Sequence, residues 1–364
     1  MLNSISELAP LNQSFQNGEQ LKKDSFNFLT QIGSGAFGKV YKVSSKTTGQ
    51  IYALKVLSKN QITNLKLTDQ LRNEIALLAR CKHKNIVKLF CAFEDKGYIF
   101  LIMEMASEGT LYQKLKKMKK FDEQMVADYM TDIIRAVAYL HAMDPPIIHR
   151  DLKPENVLLS GNTLKLADFG WSNVKDDYRN TFCGTPDYLS PEMIVGSGHS
   201  EKLDIWTLGV LMFEMLHGRP PFSPNEKIRD RRLLQKTIED NIMKGKVDFG
   251  QDISYEARSA INVMLNPNEK HRPFAKDIFN MDFFKKYDKR LVEELPQHVQ
   301  QHGNPHLMNV LSLKQKVEQY EQRLDHLAKM NKSLSELCEK KDALIGTNLS
   351  ELEMITKMNN SLVF

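Results

Sequence analysis

Three polar side chains stand close together in the run His149-Arg-Asp151-Leu-Lys153-Pro-Glu-Asn156. The Asp151 carboxylate could accept the proton of an attacking hydroxyl group, and Lys153 could offset negative charge on a transferred phosphoryl group. Asn156 supplies an amide oxygen, which is a ligand that suits Mg²⁺. The spacing predicts phosphoryl transfer to a hydroxyl group, with Asp151 as the base.

A second acidic group, Asp168, lies in the run Ala167-Asp168-Phe-Gly170. Its carboxylate could hold Mg²⁺ against phosphate oxygens, so Asn156 and Asp168 are the predicted metal ligands. A single acidic residue could equally cap a helix or form an ion pair. The prediction therefore depends on the order of the whole set of motifs.

A glycine-rich run, Gly33-Ser-Gly35-Ala-Phe37-Gly38-Lys-Val40, comes much earlier in the chain. Such a run alone is a weak signal, because dinucleotide-binding folds use a similar one between a strand and a helix. Here a second strand pattern follows the glycines, which favours a β-hairpin over phosphates. Glycines suit that place because the backbone must approach the phosphate oxygens closely.

Lys55 stands in the apolar strand pattern Tyr52-Ala-Leu-Lys55. A lysine in such a strand requires a counter-charge. Nucleotide phosphates and Glu74, on the next predicted helix, both fit this role. The alternative is a surface lysine on an edge strand.

The elements that must position these groups differ between two parts of the chain. The first part shows β-branched and aromatic runs separated by turns, with one helical period between them. The predicted strands cover 39–43, 51–56, 86–93 and 98–103, and the helix covers 69–81. A helical period then dominates to Tyr287. We predict an α+β, bilobal fold, with a small antiparallel β lobe containing one helix, a large helical lobe and a ligand crevice between them.

The predicted domains follow from these changes in pattern. They are a disordered tail (1–25), the small lobe (26–105), the large lobe (106–287), a linker (288–310) and a coiled coil (311–364).

The last segment carries an apolar repeat of seven residues through 313–362. Its d positions include Leu313, Leu327 and Leu334, and Asn331 occupies an a position that favours a parallel dimer in register. The pattern predicts a homodimer or another coiled-coil partner. The alternative is an amphipathic helix packed back on the large lobe.

Composition excludes several other classes of protein. The net charge of +5 is small for 364 residues and does not require nucleic acid as a partner. The four cysteines are scattered without a Cys-x-x-Cys pair, which suits a reducing compartment. The first residues lack a signal-peptide pattern, and no apolar run is long enough to span a membrane. We therefore expect an intracellular protein without membrane contact.

Together these motifs resemble the eukaryotic protein kinase superfamily, over about 26–287. Further matches are Ser190-Pro-Glu192, Asp204-Ile-Trp206-Thr-Leu-Gly209 and Arg272. The resemblance implies ATP and Mg²⁺ as cofactors and protein substrates, and the lysine at Lys153 is typical of serine/threonine kinases.

The resemblance also assigns roles to individual residues. Lys55 and Glu74 join Asp151 and Lys153 as catalytic residues, and Glu192 pairs with Arg272 to anchor the activation segment. Met103 is the gatekeeper, and the backbone of 104–106 reads adenine. The implied ATP-binding residues are Ile32, Gly33, Gly35, Gly38, Val40, Ala53, Lys55, Met103, Glu104, Ala106 and Leu158.

Within the superfamily the chain most resembles the Aurora kinases. The run Asp168-Phe-Gly-Trp171-Ser172 and the run Thr181-Phe-Cys-Gly-Thr185 carry this likeness. Pro186, Leu78, a longer segment at 223–246 and the coiled coil depart from the Aurora pattern. An AGC-like or lineage-specific kinase is the alternative. The likeness implies a location in the cytoplasm, the nucleus or the mitotic or centrosomal cytoskeleton.

Control is predicted at Thr181, which matches the activating phosphosite of the family. A phosphate there could pair with Arg150, beside the catalytic base. Autophosphorylation between two copies would follow from the coiled coil. Glu155 suggests a preference for basic substrates. The competing hypothesis is a pseudokinase scaffold that acts through its coiled coil.

Overall fold

The computed structural model describes residues 21–168 and 186–287, apart from 36–37, 66, 199, 225 and 251. Several predicted features lie outside the described residues: most of the N-terminal tail, Thr181, the whole linker and the whole coiled coil.

The small lobe is built on a five-stranded antiparallel sheet with the order β1-β2-β3-β5-β4. Its strands are β1 (Phe26–Gly35), β2 (Gly38–Ser45), β3 (Ile51–Ser58), β4 (Leu89–Glu94) and β5 (Tyr98–Met103). β5 is buried along most of its length because both of its faces are covered. One face contacts an aromatic cluster that includes Phe93 and Phe100, and the other contributes to the main core.

Two helices follow β3: α1 (Lys59–Asn64) and α2 (Thr68–Arg80). Leu71, Ile75 and Leu78 recur on one face of α2, are buried, and belong to the main core. This face packs against β4. The amphipathic period thus places α2 close to the one helix that the sequence predicts, whereas the short α1 was not predicted.

The large lobe is helical, with one two-stranded sheet. Its helices are α3 (Leu111–Met118), α4 (Glu123–His141), α5 (Pro191–Val195), α6 (Lys202–His217), α7 (Arg231–Lys244), α8 (Tyr255–Met264) and α9 (Asp282–Lys286). Its strands are β6 (Val157–Ser160) and β7 (Thr163–Leu166). Short 3-10 turns cover Pro154–Asn156, Pro186–Tyr188, Glu269–His271 and Ala275–Asn280, and another, Lys23–Ser25, precedes β1.

The helix α6 lies at the centre of this lobe. It is apolar around its whole circumference and buried at nearly every position, so it contacts neighbours on all sides. Gly209 permits one of these contacts, because a Cβ there would lie 2.9 Å from the Leu265 side chain.

The α+β fold with a small antiparallel β lobe and a large helical lobe is confirmed. Two strands differ from the prediction: β1 was not among the predicted strands, and β4 begins at Leu89, not at Ile86. Ile86 instead forms a parallel bridge with Leu166 of β7, and the Val87 N–H donates to the Leu166 carbonyl at 2.9 Å. The chain entering β4 is therefore tied to the large lobe. No helix in the described part of the chain is both long and apolar enough to cross a membrane.

Candidate active site

Lys55 and Asp168 form an ion pair between the two lobes. Lys55 lies on β3, between β2 and β5, and its side chain is largely buried. Burial lowers the pKa of this ammonium, but the carboxylates of Asp168 and Glu74 raise it more, so the net pKa is raised. Lys55 therefore carries its positive charge at neutral pH.

Glu74 is buried on α2, near enough to Lys55 to raise its pKa. The positive charge of Lys55 in turn lowers the pKa of Asp168, outweighing the effect of burial. Asp168 has a φ of 54°, in the left-handed region that residues other than glycine rarely adopt. The structure thus brings together three of the predicted polar residues.

Asp151 lies in a hydrogen-bonded group with Lys153 and Asn156. The Lys153 ammonium donates to both Asp151 carboxylate oxygens at 2.8 Å. The Asn156 amide nitrogen donates to Asp151 Oδ2 at 2.7 Å and to the Asp151 carbonyl at 2.8 Å. These bonds engage the nitrogen of Asn156, so its amide oxygen is the atom that could bind a metal ion.

Asp204 on α6 holds the chain that leads into Asp151. Its fully buried carboxylate accepts the N–H of His149 at 2.9 Å and the N–H of Arg150 at 2.8 Å, and lies 2.8 Å from His141 Nε2. Arg150 has a φ of 68°. Sequence reasoning noted the motif around Asp204 but gave it no role, although a carboxylate in an apolar helix is itself a signal.

His149 connects this loop to the residue before Asp168. Burial lowers the pKa of its imidazole, which is therefore neutral near pH 7. Its Nε2 lies 3.3 Å from the Ala167 carbonyl, and its Nδ1 lies 3.4 Å from the Asp151 N–H. A neutral ring protonated on Nε2 satisfies both contacts.

Four of the predicted nucleotide-binding residues, Val40, Ala53, Lys55 and Met103, lie on one face of the sheet. Register places Val40 opposite Lys55 and Ala53 opposite Met103. Leu158 on β6 bridges to Thr110, just after the segment that connects the lobes. The Glu104 carboxylate forms an ion pair with the Lys165 ammonium at 3.0 Å. The backbone carbonyl of Glu104 is therefore the group that could contact adenine. Ala106 follows in the connecting segment.

The three glycines of the first motif have different surroundings. A Cβ on Gly35 would meet no described residue within 4 Å, which leaves the space that phosphate oxygens require. Gly33 would make ordinary contacts with Val40, and Ile32 before it is about half exposed. A Cβ on Gly38 would lie 2.0 Å from the Val56 carbonyl. The sequence predicted that all three glycines allow close approach to phosphate. At Gly38 the packing of β2 against β3 is instead what requires glycine.

Glu192 and Arg272 form a buried, bidentate ion pair. Arg272 donates from its two terminal nitrogens to the two Glu192 oxygens at 2.6 and 2.8 Å. Burial raises the pKa of Glu192, but the hydrogen bonds and charge of Arg272 lower it more. Arg272 also lies over the Trp206 ring, with 5.0 Å to its centroid. The pair joins the start of α5 to the end of the lobe.

An acidic pocket lies beside the catalytic loop, formed by Glu155, Asp187, Tyr188, Glu214 and Ser223. The Tyr188 hydroxyl donates to Glu214 Oε2 at 2.5 Å, and the Ser223 hydroxyl donates to Asp187 Oδ1 at 2.5 Å. Burial, with smaller effects of the Glu155 and Asp187 charges, raises the pKa of Glu214 to about 7. Only Glu155 was singled out from the sequence as a substrate contact, because the others meet it only in the fold.

Arg150 is the described member of the predicted regulatory pair with Thr181. Its Nε atom is buried and has no hydrogen-bond partner within the parts of the chain that the structure describes. A buried guanidinium atom of this kind could receive an anion.

The fold and this arrangement of Lys55, Asp151 and Asp168 define a protein kinase, and comparison with known proteins agrees. The protein kinase domain family matches residues 26–284. The Aurora kinase of Dictyostelium discoideum is 40% identical over 72% of this chain and 67% of its own length. The Aurora kinase of Schizosaccharomyces pombe is 39% identical over 70% of each chain. Aurora kinase B of Mus musculus is 40% identical over 74% of each chain.

The chain therefore belongs to the protein kinase family, as a serine/threonine kinase of the Aurora-like branch. This family uses ATP, typically with Mg²⁺, and acts on protein substrates.

Proposed function

We propose that this kinase transfers the γ-phosphoryl group of ATP to serine and threonine hydroxyls of protein substrates that carry basic residues near the acceptor. The observation that carries the proposal is the Lys55–Asp168 ion pair, with Glu74 behind it and the Asp151 group beside it. A pseudokinase scaffold is not favoured, because a pseudokinase typically lacks at least one of these polar residues, and the sequence contains Lys55, Glu74, Asp151 and Asp168.

The roles of the residues follow from their charges and contacts. Asp151 accepts the proton of the substrate hydroxyl, and Lys153, which already contacts both of its oxygens, offsets charge that develops on the transferred group. Lys55 holds nucleotide phosphates, and Asn156 and Asp168 are the metal ligands. MgATP, when bound, supplies the phosphoryl group and the cation that neutralises its oxygens.

A peptide phosphorylation assay with Mg²⁺ and ATP tests this assignment. We expect Asp168→Asn to abolish turnover and Asp252→Asn, the same change at an exposed aspartate, to leave it unchanged. Equal turnover by the unmodified chain and Asp168→Asn would restore the scaffold hypothesis.

We further propose a basic preference read by the acidic pocket. Glu155, Asp187 and Glu214 supply three carboxylates, and an arginine of the substrate would offset their mutual repulsion. A peptide library scored for residues before the acceptor tests this, and a library profile without basic enrichment would contradict it.

Activation is proposed to require phosphorylation of Thr181, with Arg150 as the partner of the phosphate. The buried Arg150 Nε supports this, since it lies next to the backbone that Asp204 holds. Thr181→Ala should abolish activation by ATP preincubation, whereas Thr163→Ala, on β7, should not. Unchanged activity of Thr181→Ala enzyme from phosphorylating cells would contradict the switch.

We also propose that the chain dimerises through 313–362, because of the heptad pattern there. We propose an intracellular, mitotic site of action from the likeness to Aurora kinases.

A further inference from the structure

We propose that a basic surface on α7 docks an acidic segment of the protein substrate, away from the site of phosphoryl transfer. The inference rests on the proposed function, since docking of a substrate presupposes one. The surface, called here the α7 basic surface, consists of Arg231, Arg232 and Lys236 on α7 and of Lys227 and Arg229 in the segment before it, all exposed.

The charge of this surface is compensated only in part by the described residues around it. Residues 226–246 hold seven cations, these five with Lys244 and Lys246, against four acids, Glu226, Asp230, Glu239 and Asp240. The Asp230 carboxylate caps the helix by accepting the Leu233 N–H at 2.8 Å. None of the five cations forms an ion pair within the described parts of the chain. An anionic partner could therefore bind without displacing an existing contact.

The pattern along α7 separates a core face from an outer face. Ile238 and Ile242 are buried in the core of the large lobe. Arg232 and Lys236 share the outer face with the exposed Met243, while Leu233, at its edge, is 55% exposed. Two acids adjoin these cations: Glu239, which accepts a hydrogen bond from the Gln235 amide at 2.6 Å, and the exposed Asp240. Cations interspersed with exposed apolar side chains suit an acidic peptide that carries an apolar anchor.

Two other anionic partners fit this surface less well. No aromatic ring occurs between 226 and 246 on which a base could stack, as single-stranded RNA binding favours. The continuous apolar face of α7 is already buried in the lobe, so it is not available to enter a membrane.

The surface is joined firmly to the acidic pocket. The Ser223 hydroxyl bonds Asp187, and Asn241 of α7 donates to the Phe222 carbonyl at 3.1 Å. The Phe222 ring stacks on Trp206 with 5.4 Å between centroids. α7 also packs against Pro186–Tyr188 and α5. A substrate could thus place basic residues in the pocket and a distal acidic segment on α7. Residues 223–246, which sequence analysis identified as longer than the Aurora pattern, contain the whole surface.

The test compares two peptides with the full chain at low ionic strength. One is a basic acceptor peptide, and the other adds a Gly/Ser spacer of about ten residues and a tail of about six glutamates with one leucine. We expect the tail to raise kcat/KM about three- to tenfold through KM, and the gain to vanish at about 0.5 M salt.

Charge reversal locates the effect. Arg232→Glu/Lys236→Glu should abolish the gain, and Lys276→Glu/Lys285→Glu, an equal charge change at exposed lysines elsewhere on the lobe, should retain it. All three proteins should phosphorylate the tailless peptide equally. A tail without effect, or a gain that survives Arg232→Glu/Lys236→Glu, would overturn the proposal.

Fluorescence anisotropy of the labelled tail alone separates this proposal from the proposed function. If neither peptide is phosphorylated, the proposed function fails. The proposed docking surface is still supported in that case if the labelled tail binds to the unmodified chain and not to Arg232→Glu/Lys236→Glu. Stronger competition by oligouridylate or anionic phosphatidylserine vesicles than by unlabelled tail would assign the surface to those partners and overturn the peptide proposal.

Discussion

Asp204 sets the backbone of the catalytic loop through hydrogen bonds to two consecutive N–H groups, those of His149 and Arg150. An asparagine at position 204 would keep one acceptor oxygen but would turn its N–H₂ group towards one of these two N–H donors. Each buried donor left without a partner costs about 1–3 kcal/mol, and about 1.4 kcal/mol corresponds to tenfold in rate. We expect Asp204→Asn to lower kcat about 10- to 100-fold, with the KM for ATP unchanged.

The control for this prediction is Asp132→Asn. The Asp132 carboxylate also accepts a backbone N–H, that of Leu164 at 3.0 Å, but on β7 instead of the catalytic loop. Its loss should reduce thermal stability without a comparable loss of kcat. Equal loss of kcat in both variants, by steady-state kinetics, would show that Asp204 has only a general structural role.

Glu214 should make substrate affinity depend on pH. Its pKa of about 7 is raised mainly by burial, so the carboxylate becomes charged as pH rises from 6 to 8. An arginine of the substrate binds the charged form more strongly. We expect the KM of an arginine-containing peptide to fall about three- to tenfold over this range. The dependence should disappear in Glu214→Gln and for the peptide with alanine in place of arginine; a slope that persists in Glu214→Gln would contradict this.

The raised pKa of Glu214 also has a consequence for stability. Protonation of Glu214 favours the folded state. The contribution of this group to the free energy of unfolding is complete below its unfolded pKa near 4.5 and is lost as pH rises through about 7. Glu214→Gln should therefore raise the melting temperature at pH 8 and not at pH 5. Calorimetry at the two pH values measures the difference.

At the scale of elements, the hairpin β1–β2 contains two glycines with separate functions. Alanine at Gly38 would push the Val56 carbonyl and separate β2 from β3, the strand that carries Lys55. Alanine at Gly35 meets no atom of the residues that the structure describes. Both changes should raise the KM for ATP, the first by moving Lys55 and the second by occupying phosphate space.

Thermal stability distinguishes the two glycines. Gly38→Ala should cost about 1–3 kcal/mol of unfolding free energy, whereas Gly35→Ala should stay within about 0.5 kcal/mol. Similar melting temperatures for both variants would mean that β2 and β3 adapt without strain.

At the scale of the whole molecule, activation should depend on protein concentration if two copies meet through 313–362. Leu327→Lys/Leu334→Lys places charges at two d positions of the seam, and His326→Lys/Ser333→Lys places the same residues at c positions outside it. The first variant should be monomeric by light scattering of the full chain and should activate more slowly at low concentration. A monomeric unmodified chain would contradict the dimer.

Several features were accessible from the sequence because they depend on local pattern. The glycine hairpin β1–β2, the amphipathic face of α2 and the order of the acidic motifs each follow from periods and spacings of a few residues. The start of β4 was misplaced, because Ile86 pairs with Leu166, eighty residues further along the chain. No local pattern contains such a partner.

The sequence by itself predicted the chemistry proposed for this kinase: Asp151, Lys153, Asn156 and Asp168 are side-chain types that phosphoryl transfer requires, in the order of the protein kinase signature. Only the tertiary structure decided how these groups are held and what surrounds them. The anchor at Asp204, the packing role of Gly38, the acidic pocket and the α7 basic surface all depend on contacts between distant residues. Burial and charge at such contacts are properties of the fold, because they arise when chain segments far apart in sequence exclude water together.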